Sequence, residues 1–139
     1  MSDFDTRAQQ RIVDHDATPA ERTYAMWMHL SLLGFFIAPF VIIILPIILW
    51  LMKKDKSPFI DDHGKETINF HITLILYSLL LWIPATIVGL MLCGVGIVVT
   101  VPAAVLLPWV LGAIGVVQAS IAAKHGEYYR YPMTMRFID

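Results

Sequence analysis

Two uncharged stretches decide what this chain can become. Residues 23–52 and 67–123, 30 and 57 residues long, contain no Asp, Glu, Lys or Arg. All 21 charged residues lie outside them, eight in 1–22, eight in 53–66 and five in 124–139. As straight helices the two stretches would measure about 45 Å and about 85 Å, against a hydrocarbon core of about 30 Å. The first overshoots one crossing and the second requires at least two. The sequence therefore predicts an all-α polytopic membrane protein, and its 15% charged residues contrast with about 25% in ordinary soluble domains.

Local breakers divide each stretch. Pro39 lacks an N–H and pushes Ala38 towards extended backbone, which predicts a break inside 23–52. Residues 89–96, GLMLCGVG, hold three glycines and suit a turn inside 67–123. The expected fold is a four-helix bundle of two helical hairpins, with a short helix 2 over 40–54 that either spans or re-enters on the same side. Basic residues set the orientation. Arg7, Arg11 and Arg22 precede the first stretch, Lys53, Lys54, Lys56 and Lys65 lie between, and Lys124, Arg130 and Arg136 follow. Two hairpins place all ten on one side, so both termini are expected in the cytoplasm. The expected partition is a polar arm at 1–17, a transmembrane domain at 18–125 with a cytoplasmic loop at 53–66, and an interfacial tail at 126–139.

Helix ends give the same partition. Thr18-Pro19-Ala20-Glu21 is a capping box with proline at the first helical position. Helix 3 is expected to start near Asp62, and helix 4 near Pro102, ending at Lys124-His125-Gly126. Cys93, alone in the chain, is expected as a small buried apolar residue. Net charge of −1 without a basic run excludes a nucleic-acid partner. The first apolar run is too long, and preceded by too many polar residues, for a secretory signal.

Polar residues in the apolar stretches carry the functional question. Asp62, Glu66, Asn69, Thr73 and Tyr77 recur at spacings of four, three, four and four, so they form one stripe on helix 3. Such a stripe should face protein, as interhelical glue or as a polar path. His29 and His71 lie in apolar helix, where a neutral imidazole needs a partner, and Gln118 or the other histidine's helix is expected to supply it. His63 with Asp61, Asp62 and Glu66, and His125 with Glu127, show no paired metal-ligand spacing, so no metal and no cofactor is expected. Nucleophile-elbow, phosphate-loop and Cys/His patterns are also missing, and the chain is expected not to be an enzyme. Gly115, Ala119 and Ala123 form a small-residue face on helix 4, expected to pack within the protomer.

The strings ERTYAMWMHLS at 21–31, KKDKSPFIDDHGKETINFHI at 53–72 and GEYYRYPMTMRFI at 126–138 resemble a bacterial family of small membrane proteins described as Tic-twenty-like. Its loop motif is matched by Ser57, Pro58, Phe59, Asp61, Asp62, His63, Gly64, Lys65, Glu66, Asn69 and Phe70, while His71 stands where glutamine is expected. The resemblance implies four membrane helices in the bacterial cytoplasmic membrane. The resulting expectation is a non-enzymatic accessory, assembly or translocation-related subunit, embedded in lipid and bound to a protein partner or to copies of itself. Asp61, Asp62, His63, Gly64, Lys65, Glu66 and Asn69 form its candidate interaction motif. The alternative is a homo-oligomeric channel or small-solute transporter built on His29, His71, Thr73, Tyr77 and Gln118.

Overall fold

The structure is a computed structural model that describes residues 12–36 and 39–139. Among the described residues four α-helices follow one another: α1 (Pro19–Leu30), α2 (Pro39–Lys53), α3 (Pro58–Met91) and α4 (Ile97–Lys124). Short 3₁₀ segments, Ser31–Phe36 and Lys54–Lys56, join the first three. The break expected at Ala38 lies outside the described residues, as do Arg7 and Arg11. Among the helices, α3 and α4 are long and apolar enough to cross a membrane.

Capping explains two of the helix starts. Thr18 Oγ1 accepts from Glu21 N at 3.3 Å, and Glu21 Oε2 accepts from Thr18 N at 2.7 Å, which closes the capping box. Helix α3 begins four residues before the expected Asp62, because Ser57 caps it through Ile60 N and Pro58 takes the first position. The motif 61–66 is therefore helix, and its side chains point in fixed directions. Helix α4 likewise starts at Ile97, ahead of Pro102. Between them Cys93 and Gly94 turn the chain with φ of 58° and 77°. Cys93 is exposed at this apex, so the expected burial is corrected: nothing packs beyond a turn that projects from the bundle.

Helices α3 and α4 run antiparallel, shown by Thr100 Oγ1 donating to Ala85 O at 2.8 Å and Ser78 Oγ to Val105 O at 3.0 Å. The small-residue face of α4 packs inside the protomer, where Ala119 and Ala123 are fully buried. A Cβ on Gly112 would come within 3.1 Å of Leu74 Cδ1, so glycine sets how closely α4 approaches α3. Helix α1 packs on both, its Ala25 buried with Ala17, Phe59 and Ala123. Helix α2 reaches α1 through Tyr24, whose hydroxyl donates to Leu49 O at 2.7 Å. Beyond Ser78 on α3, and over Val98, Val99, Leu106 and Leu107 on α4, the surface is exposed and apolar, as a lipid-facing band requires.

Candidate functional site

The polar stripe of α3 is filled by the tail of the same chain. Asp62 takes Arg130 in a two-pronged pair, at 2.6 Å from Nη1 and 2.5 Å from Nη2. Glu66 Oε1 accepts the backbone N–H of Tyr131 at 2.7 Å, with Arg130 and Arg136 within 4 Å of its other oxygen. Asn69 accepts from Phe137 N and Ile138 N at 2.9 and 3.0 Å and donates to Ile138 O at 2.8 Å. Thr73 accepts from Met135 N at 3.0 Å, and Tyr77 donates to Met133 O at 2.8 Å. The tail thus runs down the stripe to Tyr77, bends at Met133 with φ of 61°, and returns to Asn69.

This arrangement has a physical logic. An extended segment exposes unpaired N–H and C=O groups that cannot be left bare beside lipid. Four stripe side chains bond those groups directly, while Met133, Met135 and Phe137 turn outward and exposed. The apolar edge of the tail therefore faces outward, away from the stripe.

A second polar group lies behind the tail. His29 Nε2 is 2.8 Å from His63 Nδ1, and His29 Nδ1 is 2.9 Å from both the Tyr131 hydroxyl and Thr67 Oγ1. These residues are buried and come from α1, α3 and the tail. Two imidazole nitrogens in hydrogen-bond contact share one proton, so each ring fixes the other's tautomer. Phe59 sits 4.4 Å from the His63 ring, and Phe70 stacks on Tyr131 at 3.7 Å. His71 Nδ1 donates to Thr67 O at 2.8 Å, the bond that seats it in its own helix. Gln118 accepts from the Tyr129 hydroxyl at 3.0 Å and serves the tail, not the histidine expected.

The remaining motif residues also have internal duties. Asp61 bonds Trp50 Nε1 at 2.7 Å and pairs with Lys65 at 2.8 Å. Gly64 lies under the Trp50 ring, which a Cβ would overlap. Among the described residues no group of three or more His, Cys, Asp or Glu is arranged to hold a metal. At the base of the tail, residue Val13 bridges to Glu127, and Tyr128 donates to Asp14 Oδ2 at 2.8 Å. That bond holds the Asp14 carboxyl below its ordinary value. Burial, then the Asp14 bond, pushes the Tyr128 phenol up to about 12. Asp62 raises the Arg130 guanidinium above its own usual value.

Sequence reasoning found the stripe and missed its occupant. Thr67, Tyr128 and Tyr131 lie outside the expected site residues, the two tyrosines belonging to the expected interfacial tail; Tyr131 is 4% exposed. The tail's alternation of apolar and polar residues from Met133 to Phe137 marks extended backbone, but not the helix on which it docks.

The family model described as the magnetosome magnetite crystal formation protein family, MamF_MmsF, matches residues 20–138. No curated protein and no solved structure matches the chain. The match replaces the Tic-twenty-like assignment expected from the loop and tail strings. Those residues cap α3, seat Trp50 and hold the tail, so they record an architecture and carry no statement of activity.

Proposed function

The chain belongs to the magnetosome magnetite crystal formation family, and on that premise we propose that it acts as a non-enzymatic accessory subunit in the membrane where magnetite forms. The observation that supports this reading is the occupied stripe: Asp62, Glu66, Asn69, Thr73 and Tyr77 are all engaged in holding the chain's own tail. Polar groups committed in this way make a stiff platform, a property of scaffolding more than of turnover. In this reading the chain crosses a bacterial membrane as two hairpins with both termini cytoplasmic. The partly exposed Asp61–Lys65 pair forms the outer edge of the motif and contacts a protein partner or a second copy.

The test uses the full chain in magnetite-forming cells that carry Asp61→Asn with Lys65→Gln in place of the native gene. Asn at 61 keeps an oxygen to accept from Trp50 Nε1 and both side chains are partly exposed, so the protein should keep its level and its melting temperature. Smaller crystals by electron microscopy, together with loss of the partner from particles extracted with native lipid, are expected. Crystals of unchanged size and an unchanged particle would overturn the accessory reading.

A further inference from the structure

Helices α3 and α4 and the tail enclose a lateral groove of about 420 Å³, within the range of pockets that hold small ligands. Phe70, Leu74 and Leu81 form one wall, Leu111 and Gly115 the facing one, and Tyr131 with Met133 the third side. Its polar groups lie at the rim and are already bonded, Tyr129 to Gln118 at 3.0 Å and Tyr77 to the Met133 carbonyl at 2.8 Å. A ligand carrying hydrogen-bonding groups along its length would lose its water bonds there without replacement. Hydrocarbon loses nothing.

Three observations identify the source of that hydrocarbon. The groove opens through Leu81, Leu107, Leu111 and Ile114, which are 39, 51, 59 and 62% exposed and continue the lipid-facing band. Along α4, the distance from Gln118 to Leu107 is about 16 Å at 1.5 Å per residue, close to half of a hydrocarbon core of about 30 Å, the depth of one leaflet. Met133, on the wall, holds a φ of 61°, a conformation rare for a residue other than glycine and one that collects at ligand clamps.

We propose that this groove seats one acyl chain of a membrane phospholipid, lying along α4 with its headgroup end beside Gln118 and Tyr129. The seat goes beyond the accessory role and is independent of it, because its geometry involves neither magnetite nor the Asp61–Lys65 pair. Packing of the chain against Tyr131 and Met133 would couple lipid to the docked tail.

The full chain is reconstituted in phosphatidylcholine vesicles containing a small fraction of the same lipid with a diazirine midway along one acyl chain. After irradiation, labelled residues are mapped by peptide mass spectrometry. Label on Leu74, Leu111 and Met133 should exceed that on Leu90 and Val98 by about tenfold, the ratio that a preference of about 1.4 kcal/mol produces. Ile114→Trp, which fills the mouth from the exposed side, should abolish the excess and leave Leu90 labelling unchanged; Leu111→Phe provides the same test with a smaller change. Phosphatidylglycerol vesicles should give the same pattern. Even labelling along the outward face, indifference to both substitutions, or a pattern that depends on the headgroup would each overturn the seat.

Discussion

Residues 58–78 and 79–91 belong to one unbroken helix, yet they occupy different solvents. Of the fourteen buried residues of α3, all but Gly89 lie in the first part. There α1, α2, α4 and the tail surround the helix, and its polar groups meet protein partners. In the second part Leu79, Leu80, Trp82, Ile83, Ile87 and Leu90 are exposed on successive faces. A helix apolar on all sides needs lipid around it, whereas a helix with a polar stripe needs something that can answer the stripe. The contrast shows that hydrophobic length alone does not define the buried part of a membrane protein.

The strongest way to break this contrast is overpacking. Gly64→Leu would drive a side chain into the Trp50 ring and Met28, and should lower stability by about 3 kcal/mol, read as a fall in melting temperature in detergent. A silent Gly64→Leu would mean the first part is not tightly packed. Ile87→Arg should leave packing intact and instead oppose insertion by about 3 kcal/mol if residue 87 lies near the bilayer centre, measured in a membrane-insertion assay.

Asn69→Leu removes three bonds to Phe137 and Ile138 and should weaken tail docking by about 2 kcal/mol. Amide hydrogen exchange would report it as faster exchange at 135–138 with the helices unchanged. The tail base adds a pH test. Tyr128 is raised to about 12, so its contribution is complete below the ordinary tyrosine value of about 10 and is lost as pH rises through about 12. Asp14 is lowered, so its contribution is complete above the ordinary aspartate value and is lost as pH falls through its folded-state value. Protection from exchange at Asp14 and Tyr128, whose backbone N–H groups bond Gly126 O and Ile12 O, should fall at both extremes when each rate is divided by that of the unfolded chain at the same pH. The smallest effect is expected for Leu90→Ala, within about 0.5 kcal/mol, since its exposed side chain contributes little to protein packing.

Helix positions were legible because their causes are local. The capping box at Thr18 and Glu21, the turn around Gly94 and the stripe spacing can each be read within a few residues. The start of α3 was misplaced because Asp62 competed with Ser57-Pro58, and the Ser-Pro pair supplies both a cap and a preset φ. The stripe's occupant was not legible, since Asn69, Thr73 and Tyr77 bind backbone groups, which every residue carries alike. The His29–His63–Tyr131 contacts join positions 34 and 102 residues apart, and nothing in a linear pattern ties a tail tyrosine to a helix 1 histidine. The family was misread for a related reason: the most distinctive strings are the ones that build the platform.

The bonds between Asn69 and Ile138 span 69 residues. At synthesis rates of about 5–20 residues per second, Asn69 emerges about 3 to 14 seconds before its partner exists. For that interval the stripe of α3 has no tail to hold, so the bonds of Asn69, Thr73 and Tyr77 to the tail form only after residues 133–138 have been made.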